Sequence, residues 1–210
     1  MKTGFINRAI AVVGMAAFMV CVHGCRAKDA AAPVTDDEMA LIERSEGTMR
    51  VLIVENEDDK EVLRSECGDL PLEFVGSEQF RKLAALMIDT MTSPEQDGVG
   101  IAGPQVGLKR RIVAVQRFDK EGEPVEIYPN IHIVSYKGEP LPGPEGCLSV
   151  PGCRGMVLRY PEIEISYIAP ESLTAVGETI KGFTAVIFQH ECDHLDGILY
   201  IDKASSVETF

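Results

Sequence analysis

Residues 178–195 read ETIKGFTAVIFQHECDHL, and this stretch sets both the fold class and the chemistry. Phe183, Val186, Ile187, His190 and His194 recur at three- and four-residue spacing, which predicts a helix from about Glu178 to Leu195 with these side chains on one stripe. Inside it lies His190-Glu-Cys-Asp-His194, an H-E-x-x-H pattern. Residues i and i+4 of a helix stand about 5–6 Å apart on one face, so two imidazoles at that spacing can share one cation, with Glu191 beside it as a base. Cys192 and Asp193 point away from that face. Cys192 reads as a small buried hydrophobe, and Asp193 as a hydrogen-bonding brace for the helix or a ligand.

Two histidines do not complete a catalytic metal site, which needs a third protein ligand and one position left for water. Residues 195–210 contain no histidine and a single glutamate, Glu208, so the third ligand is expected upstream. Cys147 is the best candidate. It sits in Glu145-Gly-Cys-Leu-Ser149, within a Pro/Gly-rich stretch (138–155) expected to be a loop whose backbone can approach an ion. A thiolate next to a dication is deprotonated outright and suits borderline metals.

Further from the motif, Ser77 is a plausible N-cap. Phe80, Leu83, Ala84, Met87, Ile88 and Met91 follow at helical spacing, predicting an amphipathic helix over about 78–92 that Thr92-Ser93-Pro94 ends. Strand composition marks 48–54, 111–118, 125–136 and 156–168, and the charged run 55–60 is expected as a solvated loop. His132 falls in a strand and reads as structural. Cys67 and Cys153 are expected to be unpaired. Strands with a helix inserted among them, and a second helix late in the chain, indicate an α+β fold rather than alternating βαβ units. No internal repeat is visible, and residues 46–210 are expected to form one domain.

Composition sets the outer limits. The chain has 210 residues, a net charge of −13, 45% hydrophobic and 25% charged residues, six cysteines and no tryptophan. Such a chain can bury an ordinary globular core. The acidic balance argues against nucleic-acid binding, which needs a basic face to displace counterions, and six cysteines at this length are too few for a disulfide scaffold.

Residues 1–25 stand apart. Lys2 and Arg8 precede an uncharged apolar run, Ala9 to Val22, that closes on His23-Gly24-Cys25. A charged start, a short apolar run and small closing residues describe a secretory signal, and the run falls short of the roughly 20 residues a spanning helix needs. Gly24-Cys25 resembles the lipobox of bacterial lipoproteins, in which the cysteine carries the lipid, so Cys25 is a lipidation candidate and the N-terminus a candidate membrane anchor. Residues 26–45, rich in alanine and acids, then read as a tether.

Three motifs together resemble the peptide deformylase family: GVGIAGPQVG over Gly98–Gly107, EGCLS over Glu145–Ser149, and QHECDHL over Gln189–Leu195 with Gly197 beyond. Val62-Leu-Arg64 fits a short family signature ahead of the first motif, and the likeness runs from about Val51 to Asp202. Gly103 departs from the alanine usual at its position. The resemblance implies antiparallel or mixed β-sheets around a central H-E-x-x-H helix. It implies a metal-dependent hydrolase that removes the formyl group from N-formylmethionyl peptides or nascent chains and releases formate. Cys147, His190 and His194 would hold one divalent metal, Fe²⁺ first, with Ni²⁺, Co²⁺ or Zn²⁺ as alternatives. Glu191 would be the general base and then acid. The Gln105 side-chain amide and the Leu148 backbone N–H would stabilise the oxyanion. Val99 and Gly100 would lie on a backbone edge that pairs with the peptide, and Val186 and Ile187 would line a pocket for the methionine side chain, or serve the core.

Two other readings stand beside this one. A non-catalytic, anchored protein of the same fold would bind formyl peptides or metal, but would have no reason to keep Glu191. An H-E-x-x-H metalloprotease would take its third ligand from a later glutamate or histidine, and here only Glu208 follows. For location, the leader points to export, and the family's work on nascent chains points to the cytoplasm.

Overall fold

The computed structural model describes residues 31–210, so the apolar leader and the candidate lipidation site Cys25 lie outside the described residues. Among the described residues, nine strands form three antiparallel three-stranded sheets. The first, β1 (Gly100–Ala102), β2 (Ile112–Gln116) and β3 (Val125–Pro129), has the order β1-β2-β3. The second joins β4 (His132–Lys137), β7 (Glu162–Ala169) and β8 (Thr174–Lys181) in the order β4-β7-β8. The third joins β5 (Leu141–Cys147), β6 (Val150–Arg159) and β9 (Val207–Thr209) in the order β5-β6-β9. Helices α1 (Asp36–Arg44), α2 (Glu57–Leu63), α3 (Leu72–Val75) and α4 (Glu78–Thr92) precede the sheets, and α5 (Gly182–Leu195) and α6 (Tyr200–Lys203) follow β8. The fold is α+β.

Helix α5 is the centre. Ala185, Ile187, Phe188, Cys192 and Leu195 are all buried, in one cluster with Ala102, Val113, Val115, Ile163, Ile165 and Ile180 from the first two sheets. A helix buried nearly all round belongs inside a domain rather than on its surface. Helix α4 packs the other side of the first sheet, burying Phe80, Leu83, Met87 and Met91 with Ile101, Ile112 and Ala114. Ser77 caps it, its hydroxyl accepting from Phe80 N at 3.1 Å, as its sequence indicates.

Several local expectations are corrected. Residues 48–54 are not a strand: Leu52 N–H donates to Gln105 O at 2.8 Å and Val54 N–H to Ser149 O at 3.0 Å, single bonds to two loops rather than a ladder. The charged run 55–60 is not a loop but enters α2, whose N-cap Asn56 accepts from Asp59 N at 3.0 Å. The stretch 125–136 divides into β3 and β4 in different sheets, with Asn130 between them at φ 55°. The expected strand 156–168 divides likewise between β6 and β7. The Pro/Gly-rich stretch 138–155 is largely the β5–β6 hairpin. β5 lies at a sheet edge and pairs with β6 alone, where a proline's missing N–H costs no ladder bond. The final helix starts later than expected: residues 174–181 are β8, and the chain turns at Gly182 (φ +64°), whose N–H donates to Pro161 O. Within the tether expected over 26–45, Asp36–Arg44 is instead the helix α1, which buries Ile42 against α4.

Candidate metal centre

Helix α5 and the β5–β6 hairpin face each other across a cleft of about 550 Å³. From the helix come His190, Glu191 and His194, and from the end of β5 comes Cys147. The Cys147 sulfur and one nitrogen of each imidazole lie within 4.8 Å of one another, with Cys147 Sγ 3.2 Å from His194 Nε2. Donors bound to one ion at about 2.0–2.3 Å stand some 3–4 Å apart, so the three fit a single cation. A thiolate and two imidazoles suit borderline divalent ions of the Fe²⁺, Ni²⁺, Co²⁺ and Zn²⁺ group rather than Ca²⁺ or Mg²⁺.

Charged neighbours orient the donors. His190 Nδ1 lies 2.8 Å from Glu145 Oε2, which leaves Nε2 for the cluster. Glu145 in turn accepts from Arg159 Nε at 2.7 Å and Nη2 at 2.9 Å, and Arg159 Nη1 donates to Asp193 Oδ2 at 2.6 Å. Burial alone would push the Glu145 carboxyl up, but these donors hold it at about 2. Asp193 also receives Lys203 Nζ at 2.6 Å; it braces α5 against β6 and α6. Cys192 is 4% exposed in the core, and burial pushes its thiol up.

Glu191 is 4% exposed. Its Oε2 has no hydrogen-bond partner, and burial raises its carboxyl to about 7. A buried carboxylate oxygen left unpaired is costly, so folding alone does not account for this side chain beside the cleft. The close approach of β1 depends on Gly100: a Cβ there would collide with the Glu191 carboxylate and lie 2.9 Å from Ile187 Cγ2. Gln105 sits in a 3-10 turn, Gly103–Val106. Its side-chain Oε1 accepts from Ala102 N at 2.8 Å, which turns Nε2 toward Cys147 Sγ (3.6 Å) and Ser149 Oγ (3.3 Å). Leu148, Val99, Val186 and Ile187 line the same cleft.

Some cleft residues escaped the sequence reading. Glu145, the partner of His190, carries one sequence signal for that role, its place two residues before Cys147. Arg154 and Phe210 also line the cleft, the Arg154 guanidinium carbon 5.4 Å from the Phe210 ring centre, because β9 pairs with β6 through Cys153–Gly155. No local pattern marks a three-residue strand such as β9. Cys67 and Cys153 are free thiols. His132 lies in β4 with Nε2 3.2 Å from Asp69 Oδ1.

A thiolate, two imidazoles and an adjacent carboxylate at the floor of a cleft are the side chains of a metal-dependent hydrolase. A sequence profile of the polypeptide deformylase family matches residues 51–210. The chain is 38% identical over 156 residues to a peptide deformylase of Leptospira biflexa, covering 71% of this chain and 86% of that one. It is 40% identical over 129 residues to one of Desulforudis audaxviator, covering 61% and 80%. Among solved structures, the actinonin-bound class I type b peptide deformylase of Acinetobacter baumannii superposes with a TM-score of 0.66 at 31% identity, covering 76% of this chain and 100% of that one. The same protein with Met-Ala-Ser bound gives 0.67 at 31%, covering 74% and 98%. The chain belongs to the polypeptide deformylase family, a family of metal-dependent enzymes, and is itself an enzyme of that kind.

Proposed function

We propose that the chain removes the formyl group from N-formylmethionyl peptides and releases formate, using one divalent metal held by Cys147, His190 and His194. The observation that carries this reading is the convergence of those three donors within 4.8 Å beside the unpartnered Glu191 Oε2. Fe²⁺ is the proposed native metal, with Ni²⁺, Co²⁺ or Zn²⁺ as substitutes. When bound, the ion supplies Lewis acidity, easing the deprotonation of water and drawing charge from the formyl carbonyl.

The protein's own groups do the rest. Glu191 takes a proton from the attacking water on Oε2 as the new C–O bond forms. It returns that proton to the amine nitrogen as the C–N bond breaks, so formate and a free amino terminus leave. Gln105 Nε2, fixed by the Ala102 N–H, donates to the formyl oxygen as it gains charge, and the Leu148 backbone N–H is the second donor. Val99 and Gly100 offer an edge for the extended peptide to pair with. Val186 and Ile187 receive the methionine side chain.

The chain loaded anaerobically with Fe²⁺ or Ni²⁺ should release formate from formyl-Met-Ala-Ser and leave unformylated Met-Ala-Ser intact. Glu191→Ala should abolish release while the metal stays bound. Internal peptide cleavage, or stoichiometric metal without turnover, would overturn the reading.

For residues 1–25, the proposal is export with lipid attachment at Cys25, resting on the charged start, the apolar run and Gly24-Cys25. Among the described residues no helix is long and apolar enough to cross a membrane, so anchoring would run through that leader. Palmitate labelling of the full chain in cells, lost in Cys25→Ala, is the test.

A further inference from the structure

Residues 32–44 precede the part of the chain that the family profile matches, yet they are bound tightly to the loop that carries Gln105. Arg110, at the end of that loop, is 6% exposed. Its Nε donates to Glu38 Oε1 at 2.6 Å and Nη2 to Glu38 Oε2 at 2.8 Å. Nη1 donates to Ala32 O at 2.7 Å and Nη2 to Pro33 O at 2.6 Å. Without residues 32–44 the guanidinium keeps one of these partners' kind, the Asp69 carbonyl at 3.2 Å. With the arm in place, a guanidinium left buried without the Glu38 carboxylate is strongly unfavourable.

The loop itself is wound closely. Leu108 N–H donates to Gly103 O at 2.9 Å and Arg110 N–H to Leu108 O at 2.8 Å. A Cβ on Gly103 would lie 2.5 Å from Arg110 O, so the Gln105 turn and the Arg110 backbone touch with no slack. Leu41 of α1 packs against Gly107, its Cδ2 3.4 Å from where a Cβ would stand. Movement of Arg110 is therefore passed to the turn that aims the Gln105 amide.

We infer that residues 32–44 are a positioning element for Gln105, acting through the Glu38–Arg110 pair and the Leu41 contact on the outer side of the Gly103–Arg110 loop. This rests on the proposed donor role of Gln105. A 1 Å displacement of a group that must meet developing charge is enough to slow a reaction substantially, so the arm governs turnover more than substrate binding.

The test uses the full chain loaded with Ni²⁺ and formyl-Met-Ala-Ser as substrate. Glu38→Ala should lower kcat about tenfold with KM changed less than about twofold, while Gln105→Ala should lower kcat about 100-fold. The double variant should be no slower than Gln105→Ala within about twofold, because a donor that is absent cannot be misplaced. Amide exchange at Gly107 and Leu108 should quicken in Glu38→Ala. Should that variant not fold, Glu38→Gln, which keeps hydrogen-bonding capacity without the charge, should show a smaller loss with the same pattern. Multiplied effects in the double variant, or an unchanged kcat with a lowered melting temperature, would overturn the positioning role alone. An unchanged kcat in Gln105→Ala would overturn both this role and the donor reading beneath it.

Discussion

Glu145 accepts from His190 Nδ1 at 2.8 Å while its carboxylate is clasped by Arg159, so one strand residue sets the ring orientation of a helix residue 45 positions on. Outer partners of this kind raise ligand basicity and fix the tautomer, and losing one typically costs about 10–100-fold in metal affinity. Glu145→Ala leaves the buried Arg159 with Asp193 as its remaining carboxylate, so it should lower stability, and its folded fraction should release metal at chelator concentrations about 10–100-fold lower. Metal content after graded dialysis is the measurement; affinity equal to that of the unaltered protein would count against this arrangement.

Gly100 is where the first sheet comes nearest the proposed base. In Gly100→Ala the added methyl meets the Glu191 carboxylate and Ile187, so either β1 retreats or Glu191 turns. Overpacking of this kind costs about 1–3 kcal/mol, whereas misaligning a base costs about 100-fold in rate. The variant should melt only modestly earlier yet lose most of its kcat/KM. Equal, small losses in both would mean the cleft yields easily at β1.

Arg117 is 1% exposed. It binds Asp119 through Nε and Nη2, both at 2.7 Å, and Glu178 through Nη2 at 2.7 Å, and donates to Tyr128 Oη at 2.5 Å. It ties the end of β2 to β3 and β8. Arg117→Leu removes the cation that Asp119 and Glu178 share, both carboxylates being partly exposed, and should destabilise by about 1.5–3 kcal/mol, read from the denaturant midpoint. Turnover per folded molecule should change little.

Acid should release the N-terminal arm. Burial pushes the Glu38 carboxyl up, but Arg110 and the Thr35 N–H outweigh it and hold the group below its ordinary 4.5. A carboxylate whose folded value is depressed adds stability that is present above the unfolded value and lost as pH falls through the folded one. Cleavage within residues 32–44 by an acid-tolerant protease should therefore rise once pH drops below about 4.5, before the rest of the domain opens. Glu38→Gln should flatten that dependence, and a pH-independent cleavage pattern in the unaltered chain would contradict it.

The metal donors were legible because their signals are local or motif-like. His190, Glu191 and His194 lie on one turn of a helix whose period is plain, and helix α4 falls on its expected bounds for the same reason. Cys147 was legible as the best upstream candidate, because no histidine and only one glutamate, Glu208, follow His194. The misread stretches depend on partners far along the chain. Leu52 and Val54 have β-forming side chains but find single acceptors in Gln105 and Ser149. Residues 57–60 become helical under an Asn56 cap and the Arg50–Asp59 pair. Pro142 and Pro144 look like loop residues until β5 proves to be an edge. Glu38 and Arg110 are 72 positions apart, and nothing in either neighbourhood announces the pair.

The grip of Arg110 on the Ala32 and Pro33 carbonyls has a mechanical corollary. Seven peptide units separate Cys25 from Ala32, a reach of at most about 25 Å when fully stretched, whereas a domain of this size is roughly 40 Å across. A lipid on Cys25 would thus moor the catalyst on a leash shorter than its own width, flush against the bilayer, where it would meet peptides drifting along that surface rather than chains held far above it.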